Sequence, residues 1–445
     1  MPMPDLTQRL DEEQLRDWLS QQRWYASKTR ELSGIEIVEE AELDGGLVLV
    51  FAQARFATGI YDLYQLAVAF DGGGVNFDAL TVPGHALTLL RKMENSDEVP
   101  TAEGRFSFRH VGRLPELGAD PDVHPVQQEQ SNSSIIFGDQ LVMKIFRKIE
   151  PGINPELELL RFLTMREYPN IAALRGWYEY EGASLSATLA VAQEFVPQAV
   201  DGWTLALEEA TSDPDRFLDR LAALGAATAE MHNTLATDSD DPAFSPEEPS
   251  AEAFLLLRAT IDEEIEHIFL RLPDGNERLA PILGRGSEVR ERLAVRSQIG
   301  VGGKHIRIHG DYHLGQTLST PRGWVIIDFE GEPARSLPER RAKRPALRDV
   351  ASMLRSFAYA ASAISVQRGL RVPGDFEERA RERFLEAYFE HVDHALLPPG
   401  QQAIDSVLAI YELEKAIYEL GYELNNRPDW VQIPVAGIAR LLEED

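Results

Sequence analysis

Cysteine is absent from the 445 residues. Its absence excludes disulfides, thiolate metal sites and cysteine nucleophiles. Long apolar runs are also missing: no stretch approaches the roughly 18 apolar residues of a membrane span, so no membrane partner is expected. The opening MPMPDLTQRLDEEQ lacks the basic and apolar regions of a signal peptide, and a cytoplasmic location is expected. Basic residues are scarce, 44 Lys and Arg against 73 Asp and Glu, for a formal charge of −29. Such a surface repels phosphate backbones and argues against a nucleic-acid partner. What is present is ordinary for a globular protein: 44% hydrophobic and 26% charged residues. At about 150 residues per domain, the length predicts two or three folding units.

The apolar periodicity predicts three segments. Residues 1–95 read as an α+β cap: a helix over 5–20, short strands from IEIVEEAEL, GLVLVFAQARF and YDLYQLAVAF, and a helix at ALTLLRKMENS. Residues 96–197 read as strands plus one helix. A hairpin is expected around Gly138 and Asp139, and Asn154-Pro155 marks a helix start. Residues 198–445 read as mainly helical, interrupted by strands over 304–330, with the acidic run near DSDDPAFSPEEP as a solvated loop.

That interruption carries the strongest chemical signal. Asp311 in HGDYHLGQ is followed five residues later by Gln316, and the apolar run Trp324–Ile327 leads into Asp328-Phe329-Glu330-Gly331. The spacing matches a phosphoryl-transfer set: an Asp to take the acceptor proton, then an amide and a second Asp to supply hard oxygen ligands to magnesium. A rival reading makes His309, Asp311 and His313 an H-x-D-x-H metal site of a hydrolase. Upstream, Lys144 on a predicted strand precedes a helix bearing Glu156 and Glu158, the order of a phosphate-binding lysine and its glutamate. Glu158 is the preferred partner and Glu156 the alternative. Glu129-Gln130-Ser131-Asn132-Ser133-Ser134 replaces a glycine-rich loop, with Ser133 as a candidate phosphate contact. The strand end Gln193-Glu194-Phe195-Val196 offers backbone groups to an adenine through Gln193, Glu194 and Val196.

EQSN at 129–132, HGDYHLGQ, DFEGEPARSLPERR, the C-terminal NNRPDW and the early QRWYASK resemble the actinobacterial-type maltokinases, relatives of aminoglycoside phosphotransferases. The resemblance runs through nearly the whole chain. It implies a bilobal, protein-kinase-like α+β fold with a strand-rich N-lobe and a helical C-lobe, preceded by a cap. It also implies ATP- and Mg2+-dependent phosphorylation of maltose at its anomeric hydroxyl, giving maltose 1-phosphate for α-glucan (glycogen) synthesis, with a trehalose/α-glucan pathway enzyme as a partner. By position, Asp311 matches the base, Gln316 and Asp328 the magnesium ligands, Lys144 the phosphate lysine and Glu158 its partner.

The acceptor wall is read at Lys415, Glu419 and Glu423, spaced i, i+4, i+8 on one helix. Tyr418 and Tyr422 flank that face, and the resemblance adds Arg427 and Trp430; His313 completes the candidate set. Charged hydrogen-bonders against aromatic faces suit a sugar. A glucosamine kinase of the same architecture is the alternative, favoured by a denser acidic surround. A non-catalytic nucleotide-binding scaffold would require a missing catalytic Asp or metal ligand, and none is missing.

Overall fold

The computed structural model describes residues 10–71, 74–118, 120–126, 131–238, 240–273, 275–298, 302–370 and 372–443. The expected start of the first helix at residues 5–9, and Glu129 and Gln130, lie outside them. The chain divides into two compact units: one runs up to Thr164 and includes Ala172–Pro197, and the other holds Met165–Ile171 and the chain from Gln198 onward.

In the first unit, α1 (Glu12–Gln21) is capped by Asp11, whose carboxylate accepts from the Glu13 and Gln14 N–H groups. An antiparallel sheet follows, β1 (Leu32–Glu42), β2 (Leu47–Phe56), β3 (Tyr61–Asp71) and β4 (Gly74–Asn76), and then α2 (Pro83–Asn95). The next strands are β5 (Glu98–Pro100), β6 (Gly104–His110), β7 (Val123–Pro125), β8 (Ser133–Phe137) and β9 (Leu141–Ile145). After α3 (Pro155–Met165) come β10 (Leu174–Gly182) and β11 (Ser186–Glu194). These strands form a second sheet in the order β5-β6-β10-β11-β9-β8-β7.

The run GLVLVFAQARF explains how the two sheets share a core. Side chains alternate across a strand, and both faces of β2 are apolar. Val48, Val50, Ala52 and Ala54 pack with Leu15 and Leu19 of α1. Leu47, Leu49 and Phe51 pack with α2 and with Phe106, Phe108 and Tyr180 of the larger sheet. The Phe51 ring meets Phe106 at 5.4 Å and Tyr180 at 4.9 Å, both edge-on. The expected hairpin forms, with Phe137 opposite Leu141 and both Gly138 and Asp139 at positive φ.

The second unit opens with β12 (Val200–Asp201), α4 (Gly202–Ser212), α5 (Pro214–Leu235), α6 (Ala251–Phe269) and α7 (Gly286–Arg296). The strands β13 (His305–Ile306), β14 (Thr317–Thr320) and β15 (Gly323–Ile326) interrupt the helices as expected. Then follow α8 (Leu337–Arg341), β16 (Arg344–Pro345), α9 (Leu347–Arg368), α10 (Phe376–His391), α11 (Gln401–Asn426) and α12 (Gln432–Glu443). The helices α5 and α10 approach so closely at Gly225 that a Cβ there would sit 2.3 Å from the Phe384 carbonyl oxygen. No helix among the described residues is long and apolar enough to cross a membrane.

A buried ion pair ties α9 to α11. Arg355 donates through Nε and Nη2 to Glu419 Oε2, at 3.1 and 2.7 Å, with both side chains under 10% exposed. Removing one partner strands the other charge away from water. Arg355→Met is expected to lower unfolding stability by about 3–5 kcal/mol in urea titration. The double change Arg355→Met, Glu419→Leu should recover most of that loss.

Candidate active site

The convergence of Gln316 and Asp328 follows from strand register. Thr317 at the start of β14 pairs with Ile326 at the end of β15. Gln316 and Ile327 therefore face each other just beyond the ladder, and the Ile327 N–H donates to the Gln316 carbonyl at 3.0 Å. One residue on, Asp328 takes a left-handed backbone, φ 64°, a conformation that costs energy outside glycine and clusters at functional sites. There Gln316 Nε2 donates to Asp328 Oδ2 at 3.0 Å. The two side chains lie together, and an amide oxygen beside a carboxylate suits a hard divalent cation.

Asp311 is set by a different device. Asp349, near the start of α9, is fully buried and accepts the His309 N–H at 2.7 Å and the Gly310 N–H at 2.9 Å, while His232 Nε2 lies 3.2 Å from its carboxylate. Burial alone would raise the Asp349 pKa, but His232, the nearby His309 ring and the Gly310 N–H outweigh it and hold the carboxyl below its ordinary range. His309 joins the two loops: Nε2 donates to the Ile327 carbonyl at 2.9 Å, and Nδ1 receives the Asp311 N–H at 3.4 Å. Its ring packs on Phe329 and Tyr312, at 4.9 and 5.2 Å. Tyr312 is buried and anchored to Thr228 at 2.8 Å.

These bonds overturn the hydrolase reading. Both His309 nitrogens are spent on backbone groups, and His313 Nδ1 receives the Gly315 N–H at 3.1 Å. The triad H-x-D-x-H cannot supply three ligands.

Around Asp311 stand Lys415, with Nζ 3.6 Å from Oδ1, and His313, with Nε2 3.9 Å from Oδ2. Burial opposes the Lys415 charge, but Asp311, Glu332 and Glu419 outweigh it and raise its pKa, so it stays cationic. Burial pushes the His313 pKa down. The Lys415 ammonium lies 5.3 Å from the Tyr418 ring. Behind them, Arg335 holds Glu332 at 2.7 Å and Glu414 at 3.3 Å, and Arg348 holds Glu414 at 3.3 Å.

The rest of the expected acceptor wall is differently employed. Glu419 is held by Arg355. Glu423, 1% exposed, accepts from Arg427 at 2.6 and 2.9 Å and from Tyr359 at 3.2 Å. Trp430 stacks on Tyr359 at 6.4 Å, with the Arg427 guanidinium 4.8 Å from its ring. Helical spacing placed Glu419 and Glu423 on one helix, α11, but their carboxylates are bonded inside the fold. The open face is Tyr418 and Tyr422, both more than 40% exposed. They line a cavity of about 660 Å³ between α6 and α11, facing Glu264, His267 and Arg271. Burial, then Glu414, raise the Glu264 pKa, and its carboxylate has no ion-pair partner among the described residues. The sequence reading missed Asp349 and Glu264. For Asp349 a signal existed, an acid embedded in the apolar ALRDVASML; one exposed glutamate among several on α6 gave none.

In the first unit, Lys144 Nζ lies 2.7 Å from Glu156 Oε2, and Glu156 is 1% exposed. This corrects the preference for Glu158, which is half-buried. Asn154 fixes the helix start, its Oδ1 taking the Glu156 N–H at 2.9 Å and turning that side chain inward. Ser133 is also displaced from its expected part. Ser134, not Ser133, pairs across the sheet with Lys144, and the Ser133 hydroxyl accepts from Arg147 Nε at 2.7 Å on the opposite face. Glu194 binds Arg175; Gln193 and Glu194 end the β11 ladder and Val196 lies two residues past it.

Asp349→Asn keeps the shape but removes the charge that orders His309 and Gly310. We expect a stability loss of about 1.5–3 kcal/mol at neutral pH, the range for hydrogen bonds to a charged group. Because the folded-state pKa is depressed, this contribution is complete above the ordinary carboxylate range and is lost as pH falls through the lowered value. The acid limb of a pH–stability curve should therefore be shallower in the variant.

Comparison with known proteins fits this arrangement. The profile of the family described as "Phosphotransferase enzyme family" matches residues 122–397, and that of the "Maltokinase N-terminal cap domain" matches residues 18–86. A glucosamine kinase of Mycolicibacterium smegmatis is 27% identical over 335 residues, 72% of this chain and 79% of the relative. A glucosamine kinase of Streptacidiphilus jiangxiensis is 26% identical over 330 residues, 71% of this chain and 72% of the relative. A solved glucosamine kinase in complex with glucosamine, ADP and inorganic phosphate superimposes with a TM-score of 0.76 at 21% identity, covering 99% of each chain. A second crystal form gives 0.78 at 20% identity, over 99% of this chain and 100% of the other. The fold is thus kinase-like, with a strand-rich N-terminal region, a helical C-terminal region and a cap. The chain belongs to the phosphotransferase enzyme family, carries a maltokinase-type cap, and is an enzyme that transfers phosphate to a hydroxyl acceptor.

Proposed function

We propose that this protein is an ATP-dependent, magnesium-dependent kinase of an aminosugar, with glucosamine as the first candidate. The observation that carries the kinase reading is the Gln316–Asp328 pair beside an Asp311 held by its own buried scaffold. Asp311 orients the acceptor hydroxyl and takes its proton. Gln316 and Asp328 would hold magnesium, whose charge neutralises the phosphate oxygens during transfer. Lys144, fixed by Glu156, contributes positive charge to the nucleotide phosphates, and the backbone near Gln193, Glu194 and Val196 receives the base. Lys415 stands beside Asp311, and His313 and Tyr418 flank the acceptor.

Two observations support an aminosugar over the maltose first expected. The curated relatives above are glucosamine kinases. In addition, the acids Asp311, Glu332 and Glu414 are offset by Lys415, Arg335 and Arg348, whereas Glu264 has no such partner and stands open to an ammonium group. Maltose remains a second reading, favoured by the maltokinase-type cap and by the volume of the Tyr418–Tyr422 cavity, about 660 Å³.

Purified protein incubated with ATP, magnesium and each of glucosamine, maltose, glucose and kanamycin should release ADP fastest with glucosamine. A response confined to maltose would reverse the acceptor assignment, and no response to any acceptor would sink the kinase reading. Asp311→Asn should lower kcat by about 10²–10⁴-fold while nucleotide affinity is kept. Glu264→Gln should raise KM for glucosamine and leave KM for ATP unchanged.

A further inference from the structure

Lys144 lies in β9 and Glu156 in α3, and the connection between those elements, Phe146–Asn154, sets how the two side chains meet. Such strand-to-helix connections ordinarily run over the surface and open easily. This one is bonded to the cap. The Gln65 N–H donates to the Arg147 carbonyl at 2.9 Å, and the Ile149 N–H donates to the Leu63 carbonyl at 2.7 Å. Between them, Lys148 bridges Tyr64 of β3 in antiparallel fashion. Lys148 Nζ also lies 2.8 Å from Asp62 Oδ1.

Gln65 makes the join. Alternation along β3 sends Leu66 and Val68 toward α1 and Ala67 and Ala69 toward the larger sheet. Gln65, in phase with the two alanines, is 3% exposed. Its Nε2 donates to the Phe146 carbonyl at 2.7 Å and to the Leu189 carbonyl, and its Oε1 accepts from the Tyr178 hydroxyl at 2.9 Å. Phe146 follows β9, Leu189 lies in β11 and Tyr178 in β10. The bonds fall where the β9–β11 ladder ends: Ile145 pairs with Ala190, and the Phe146 N–H then donates to the Leu189 carbonyl at 2.9 Å. A buried amide is costly unless its donors and acceptor are bonded. Gln65 meets that condition by gripping the main chain just beyond Lys144.

We propose that Gln65 is a positioning residue for nucleotide binding. Through Gln65 and the Asp62–Lys148 pair, the cap fixes the connection that brings Glu156 to Lys144, and so fixes the direction of the Lys144 ammonium. The proposal rests on the reading of Lys144 as the lysine of the nucleotide phosphates and is independent of the acceptor's identity. A catalyst that works by placement gains from a lysine whose strand and partner are both held.

The test measures binding of ADP with magnesium by calorimetry, without acceptor, in the full-length protein. The variants are Gln65→Met, Lys144→Met, the two combined, and Lys148→Met, whose side chain is 43% exposed and can be shortened without opening the core. Gln65→Met should weaken ADP binding about tenfold, within the range for coupled residues of one network, and Lys144→Met by at least as much. The combined variant should bind ADP no more weakly than Lys144→Met alone, because Gln65 acts through that lysine. A merely structural loss would instead add to the other. Lys148→Met should weaken ADP binding about threefold by the same route. If Gln65→Met does not fold, Lys148→Met and its combination with Lys144→Met decide by the same criteria. Wild-type affinity in Lys144→Met removes the lysine reading and the proposal with it. Weakened binding in Lys144→Met, with wild-type affinity in Gln65→Met and Lys148→Met or with losses that add, keeps the lysine reading and overturns the proposal.

Discussion

One buried carboxylate organises the segment that carries Asp311. Asp349 accepts the N–H groups of two successive residues, His309 and Gly310, and is itself steadied by His232. Backbone amides that would otherwise seek water are bound to a fixed anion, so the chain just before Asp311 has little freedom to move. His309 then passes that order to the strand leading into Asp328, by donating to the Ile327 carbonyl. A single charge in the helical core is thus tied, directly and through His309, to the segments that carry Asp311 and Asp328. Catalysis that is mostly positioning needs this kind of rigidity more than it needs reactive groups.

The acceptor side shows a second constraint, the separation of charges used for folding from charges left for a ligand. On α11, Glu419 and Glu423 are consumed by Arg355, Arg427 and Tyr359. Lys415 and Tyr418, on the same helix, remain directed at Asp311 and the groove. Neighbouring residues of one helix therefore divide between ion pairs buried in the fold and side chains that face Asp311 and the cavity. Helical phase alone does not distinguish them, because an ion pair to a distant helix is invisible in local spacing.

Much of the fold was legible because it is written in short-range patterns. The strand run GLVLVFAQARF, the Gly138-Asp139 turn and the Asn154-Pro155 start each act within a few residues, and each forms as read. The closeness of Gln316 and Asp328 was legible for the same reason: it follows from the one hairpin of β14 and β15. The misreadings have long-range causes. Glu156 rather than Glu158 meets Lys144 because Asn154 caps the helix and sets its inward face. Ser133 faces Arg147 because strand register puts Ser134 beside Lys144. Asp349 supports a loop 40 residues upstream, a distance at which periodicity carries no information.

Strand β2 is apolar on both flanks, one facing α1 and the other facing α2 and the larger sheet. A protein shortened by deletion of its first 95 residues would bare Phe106, Phe108 and Tyr180 to water as a sticky aromatic plate. The leading segment is therefore not an accessory that natural or laboratory truncation can discard, and domain-shuffled relatives lacking it would need a new covering for that plate.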